Sequence, residues 1–186
     1  LEGVSTGVSF SKSSGRDLIH IMDREADIVE VINQCQENKQ YFIIRARHDR
    51  STLSHKERYK EEEVEKFRLF HAMRSIQNNA VIKRKLRDSK GHPYEADCNI
   101  NYQHFRFRGI DQDVTCVWVK EKNVTEAQAA EWFLLTNLPV HTITEAEGIA
   151  ETYSKRWTVE DYHKCYKTGC SIEKRQFDSR KTITTS

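Results

Sequence analysis

The sequence predicts an α/β fold, and three observations carry the prediction. The apolar run Leu18-Ile19-His20-Ile21-Met22 reads as a short buried strand, and Glu25 to Glu37 follows it with apolar residues at helical spacing. A second apolar, β-branched run, Tyr41 to Arg47, completes a strand–helix–strand order. The middle of the chain then alternates at period two, and Thr144 to Lys167 reads as one long closing helix.

Each element has its own reason. Residues 1–16 carry Gly3, Gly7 and Gly15 among serines and predict a loop or frayed end. In the helix after the first strand, Ala26, Val29, Val31 and Ile32 form the apolar stripe, and its early acids suit a helix N-terminus. Residues 48–66 are dominated by charge and read as a solvated helix or a loop, with a short amphipathic helix over Phe67 to Ile76. Val81 to Arg87 alternates, with Ile82 and Leu86 on one side and Lys83, Lys85 and Arg87 on the other. Ser89 to Pro93 is a turn, so a hairpin follows into Ala96, Cys98, Ile100 and Tyr102. The phase then slips to Phe105 and Phe107, which predicts a bulge near His104. Val114 to Val119 and Trp132 to Leu135 are further strands, and Gly169 is a natural helix stop.

The composition suits one domain, or one domain with an insertion. The formal net charge is only +2 over 186 residues, so the chain is no polycation. Positive charge concentrates locally, in Lys83-Arg84-Lys85-x-Arg87 and Arg106-x-Arg108, which reads as a polyanion-binding patch or as solvated strand faces. Five cysteines, at 35, 98, 116, 165 and 170, include no Cys-x2-Cys pair, and the odd count fits a reducing cytoplasm. His163, Cys165 and Cys170 match no standard zinc spacing. No apolar run approaches the ~20 residues of a membrane span, and no secretory signal opens the chain. The start at Leu1 instead of Met reads as a fragment or a processed form.

Two segments carry chemistry. Asp23, in Ile21-Met22-Asp23-Arg24-Glu25-Ala26-Asp27-Ile28, sits at the C-terminal end of the first strand, where ligands collect in α/β sheets. Tyr153, Arg156, Glu160 and Lys167 fall within roughly 60° of one another on an ideal helix. Two carboxylates able to hold a divalent metal, beside cations and an aromatic ring, suit phosphodiester chemistry on a nucleic acid. Taken singly, Asp23 reads first as a helix cap, Glu160 as an i±4 salt-bridge partner and Trp132 as a core residue, and Tyr153 reads equally as core.

These segments resemble the DDE transposases of bacterial insertion sequences, in the group named for its Tyr-Arg-Glu-Lys signature. The resemblance runs through Asp23 to Asp27, Tyr41 to Arg45, Trp132 to Thr136 and Tyr153 to Gly169, covering most of residues 17–175. It implies a partial RNase H-like core, over residues 17–77 and 139–175. A mainly antiparallel β insertion over residues 78–138 interrupts that core, and 176–186 is left as a truncated tail. It implies cut-and-paste transposition on double-stranded DNA, at the transposon end and the target, by a homodimer on paired ends in the bacterial cytoplasm, with Mg²⁺ as cofactor and Mn²⁺ as substitute. Asp23 and Glu160 become catalytic metal ligands. Tyr153, Arg156 and Lys167 become phosphate contacts, and Trp132 the platform for an extruded base. Arg45 leaves a core strand toward DNA. The family's first Asp lies on an earlier strand upstream of this chain's start, and Asp17, six residues before Asp23, does not replace it. The fragment alone is therefore expected to be inactive. Two other readings stay open: a catalytically dead DNA-binding remnant, and a metal-dependent nuclease without strand transfer.

Overall fold

The computed structural model describes residues 2–52, 68–88, 90–125 and 129–169. The chain divides into two units, Leu1–Tyr153 and Ser154–Ser186. In the first unit the elements run α1 (Glu2–Ser14), β1 (Ile19–Met22), a short 3-10 turn (Arg24–Ala26), α2 (Val29–Glu37), β2 (Tyr41–Arg45) and α3 (Leu69–Arg74). Then come β3 (Ala80–Arg87), β4 (Pro93–Phe105), β5 (Val114–Glu121), β6 (Glu131–Thr136) and α4 (Ile143–Ser154), whose last residue opens the second unit. There the described element is α5 (Arg156–Gly169).

The six strands make one sheet in the order β1-β2-β6-β5-β4-β3. Only β1 and β2 are parallel, as a strand–helix–strand crossover through α2 requires. The other pairings are antiparallel, so the β-rich stretch after residue 80 continues the same sheet through the β2–β6 pair. Side chains alternate across this sheet and bury on both faces. One face presents Phe42, Ile44, Phe105, Cys116, Trp118, Phe133 and Leu135, packed with Val4 of α1, Val31, Ile32 and Cys35 of α2, and Leu69 and Met73 of α3. The register puts Ile43, Val117, Val119, Trp132 and Leu134 on the opposite face. There the Tyr153 ring of α4 meets Trp132.

Four expectations are corrected. Residues 1–16, expected as a loop, contain helix α1. Its glycines and serines are poor helix formers, but Val4 is buried in the core, and tertiary packing overrides propensity. Gly7 lets α1 approach β1: a Cβ there would lie 2.6 Å from Cε1 of His20. The His20 ring is itself fixed by a 2.8 Å hydrogen bond between Nε2 and Oε1 of Gln40. Gly7→Ala should therefore lower the thermal midpoint. The overpacking cost of about 1–3 kcal/mol exceeds the helix-propensity gain of at most about 1 kcal/mol. Adding His20→Ala should recover most of the loss, and a Gly7→Ala chain as stable as the parent would contradict this packing.

The helix expected from Glu25 is split. Asp27 leaves helical geometry, with φ −74° and ψ 63°, and Ile28 is extended. The departure turns the Asp27 carboxylate onto the segment after β2. The bulge near His104 is absent. β4 pairs β5 residue for residue to Phe105↔Val114, and the phase slip arises because both faces of the sheet are covered. The single helix expected over Thr144 to Lys167 is two helices, with Lys155 in a turn between them. Thr158 N–H donates to Lys155 O at i+3, a tighter closure than the α-helical ladder. The flanking residues Thr152-Tyr153-Ser154 and Trp157-Thr158-Val159 are all middling helix formers, and hydrophobic spacing does not register that weakness.

The start of α4 is fixed by a capping box. Thr142 Oγ1 accepts from Glu145 N–H at 3.2 Å, while Glu145 Oε2 accepts the N–H groups of His141 and Thr142 at 2.7 and 2.9 Å. Those backbone bonds hold the Glu145 carboxyl below its usual range. Most of the charged stretch expected over 48–66, from residue 53 onward, and the tail beyond residue 169 lie outside the described residues.

A second lock ties α3 to the sheet. Arg74 grips Glu131 at two points, Nε to Oε1 at 2.9 Å and Nη2 to Oε2 at 2.5 Å. Trp118 Nε1 adds a bond to Oε1 at 2.9 Å. Burial pushes the Glu131 carboxyl up, but the Arg74 and Trp118 bonds outweigh it and hold the value below 4.5. A depressed folded-state value means the stabilisation is fully present above the ordinary glutamate range. It is lost as pH falls through the folded value. Glu131→Gln should thus flatten the acid limb of the stability curve, read by urea unfolding between about pH 7 and pH 3. An unchanged acid limb would show that the lock carries no linked proton.

Candidate active site

Parallel pairing sets the place of Asp23. Met22 is in register with Ile44, so β1 and β2 end side by side at their C-terminal ends. Asp23 follows β1 directly and begins the 3-10 turn, with Oδ1 accepting the Glu25 N–H at 3.0 Å. The cap reading and the strand-end reading of Asp23 are thus both realised. Asp23 is half-buried, with its hard oxygen donors at the C-terminal end of β1.

Arg45, the last residue of β2, is half-buried. Its Nη2 donates to the Glu131 carbonyl at 2.9 Å, a bond that crosses to β6. Beyond it the chain passes Ala46 and reaches Arg47 and His48, which are exposed.

Trp132 and Tyr153 are brought together. Their ring centroids lie 5.5 Å apart at an interplanar angle of 63°, an edge-to-face pair. Trp132 is 4% exposed and Tyr153 3%. A base stacks only on an open ring face, so stacking on Trp132 requires the groups that bury it to move away.

The signature residues fall on two helices. Tyr153 belongs to α4, and Arg156, Glu160 and Lys167 belong to α5. On α5, Arg156 Nη2 lies 2.7 Å from Glu160 Oε1, an i,i+4 ion pair with the Glu160 side chain 43% exposed. Asp23 lies in the first unit and Glu160 in the second. Among the described residues no three His, Cys, Asp or Glu side chains form a metal-sized group.

The basic patch of the middle third is compensated in part. Lys83 pairs across the strands with Asp97, and Lys85 with Glu95. Arg84 is buried on the other face of β3.

A sequence model of the transposase DDE domain matches residues 11–185. The chain belongs to this family. Its members are phosphoryl-transfer enzymes that act on DNA and generally depend on a divalent metal. Asp23 and Glu160 each carry carboxylate oxygens, the donor type that a hard cation prefers. The buried cysteines do not compete. Burial pushes the Cys35 and Cys98 thiols up to about 11 and raises Cys116 further. No helix among the described residues is long and apolar enough to cross a membrane.

Sequence reasoning missed Asp27, which is 1% exposed and heavily bonded. Its partners lie 20 residues or more away, so no local pattern announces it. The capping box was visible in principle, as Thr142-x-x-Glu145.

Proposed function

We propose that this chain is catalytic core of a cut-and-paste DNA transposase of the bacterial insertion-sequence type, with an RNase H-like ancestry for the β1–α2–β2 unit. What supports the reading is the family match across both signature segments, with Asp23 at the C-terminal end of β1. Asp23 and Glu160 are two of the three carboxylates that the family's Asp-Asp-Glu chemistry uses. Mg²⁺ suits them, and Mn²⁺ substitutes for it. A divalent ion held there supplies charge neutralisation and an activated oxygen at the phosphodiester.

The chain's own groups do the rest. Arg156 and Lys167 contact phosphates, Arg as a two-point donor and Lys as a point charge. The Arg156–Glu160 pair keeps the guanidinium on the helix face that bears the carboxylate. Arg45 lines the DNA path at the end of β2. Tyr153 and Trp132 hold an extruded base and its phosphate once their edge-to-face contact opens. End nicking, hairpin formation and strand transfer repeat one phosphoryl-transfer geometry on double-stranded DNA. A homodimer on paired ends, working on the nucleoid in the cytoplasm, fits that sequence of steps. With two of the three carboxylates, the 186 residues alone do not cleave.

The experiment is an incubation of a transposase carrying all three carboxylates with Mg²⁺ and DNA bearing the element's end. Nicked, hairpin and strand-transfer products are expected. Nicks alone would favour the nuclease reading, and binding without cleavage would favour the dead remnant.

A further inference from the structure

The buried carboxylate of Asp27 serves none of the steps above, yet it organises the segment beside Asp23. Oδ2 accepts the backbone N–H of Arg47 at 2.7 Å and of His48 at 2.9 Å. Arg50 Nη2 donates to Oδ1 at 2.5 Å and to the Asp27 carbonyl at 2.9 Å. Every one of these partners lies in the five residues that follow β2. The same segment is fastened from the other side by the start of α3. There Phe70 N–H donates to Asp49 Oδ1 at 2.8 Å, and Leu69 N–H donates to the Arg50 carbonyl at 2.9 Å.

A charge taken out of water is costly, and an apolar residue fills the same space at no such cost. What the carboxylate adds is geometry: two adjacent N–H groups and one guanidinium converge on it. The side chains left outside the clamp are Arg47 and His48, both exposed. Because β1 and β2 are parallel and end in register, this segment leaves the sheet beside Asp23.

We infer that Asp27 is a positioning residue that sets the backbone at Arg47 and His48 so that their side chains meet DNA phosphates beside Asp23. The inference rests on the DNA-transposase reading.

The test is duplex DNA binding by the 186-residue chain, followed by fluorescence anisotropy across a salt series. Each phosphate contact contributes about 0.9 to the slope of log K against log salt. Arg47→Ala should reduce the slope by about 0.9. Lys39→Gln, at the opposite end of β2, should leave it unchanged. Asp27→Asn should lose at least as much slope as Arg47→Ala, with the far-UV circular dichroism of the folded chain retained. Adding Arg47→Ala to it should cost no further slope. Where Asp27→Asn does not fold, Asp27→Glu is read in the same way, since it keeps the charge and displaces the segment. A wild-type slope for Arg47→Ala, or for a folded Asp27 variant, overturns the inference alone. Absence of duplex binding by the wild-type chain overturns the DNA reading with it.

Discussion

Glu160→Gln, in a transposase carrying all three carboxylates, is expected to reduce cleavage at the element's end on the order of 10³-fold, because an electrostatic partner of the reacting phosphate is lost. The substitution removes one charge and little volume from a side chain 43% exposed on α5. DNA affinity should change little. The Arg156 guanidinium loses the negative charge of its 2.7 Å partner, so phosphate contact is no weaker and is open to a slight gain. Asp23→Asn should behave alike in cleavage. It should leave stability nearly intact, since the amide oxygen can still accept the Glu25 N–H that the carboxylate accepts at 3.0 Å. Single-turnover cleavage and gel-shift binding on the same DNA separate the two effects. Near-normal cleavage by Glu160→Gln would remove the residue from the chemistry.

Trp132→Ala carries the largest expected structural effect, about 3–5 kcal/mol of stability, by the usual cost of deleting a buried aromatic ring. Trp132 faces Val119 across the β5–β6 pair and meets Tyr153 edge to face, so its loss opens a cavity between the sheet and α4. Trp132→Phe should recover most of that loss. In a cleavage-competent transposase, nicking should decline as the fold weakens and hairpin formation should decline further, because only that step holds an extruded base. Equal loss of the two steps would mark Trp132 as a core residue alone.

The strands were legible because apolar alternation is a local signal, and β1 to β6 fall close to where it places them. Asp23 was legible for the same reason, as the first acid after an apolar run. Three features were not. Helix α1 depends on Val4 and on the space at Gly7, which are properties of its partner surface and not of its own serine-rich sequence. The turn at Lys155 is set by backbone hydrogen bonding among middling helix formers, while the side-chain spacing runs on undisturbed. Asp27 reads as one more acid in an acidic turn, and only the return of the chain through Arg47 to Arg50 shows its function as a clamp. Tertiary contacts across long sequence separations decided all three.

The most direct test of the proposed metal centre is localised oxidation. Fe²⁺ replaces Mg²⁺ in a transposase carrying all three carboxylates, and ascorbate with peroxide then generates hydroxyl radicals at the bound ion. Backbone cuts are expected in both segments, next to Asp23 and next to Glu160, with both sets suppressed by excess Mg²⁺ and by either Asp23→Asn or Glu160→Gln. Cuts at one segment only, or cuts at both that persist in the two variants, would contradict a metal centre shared by these carboxylates.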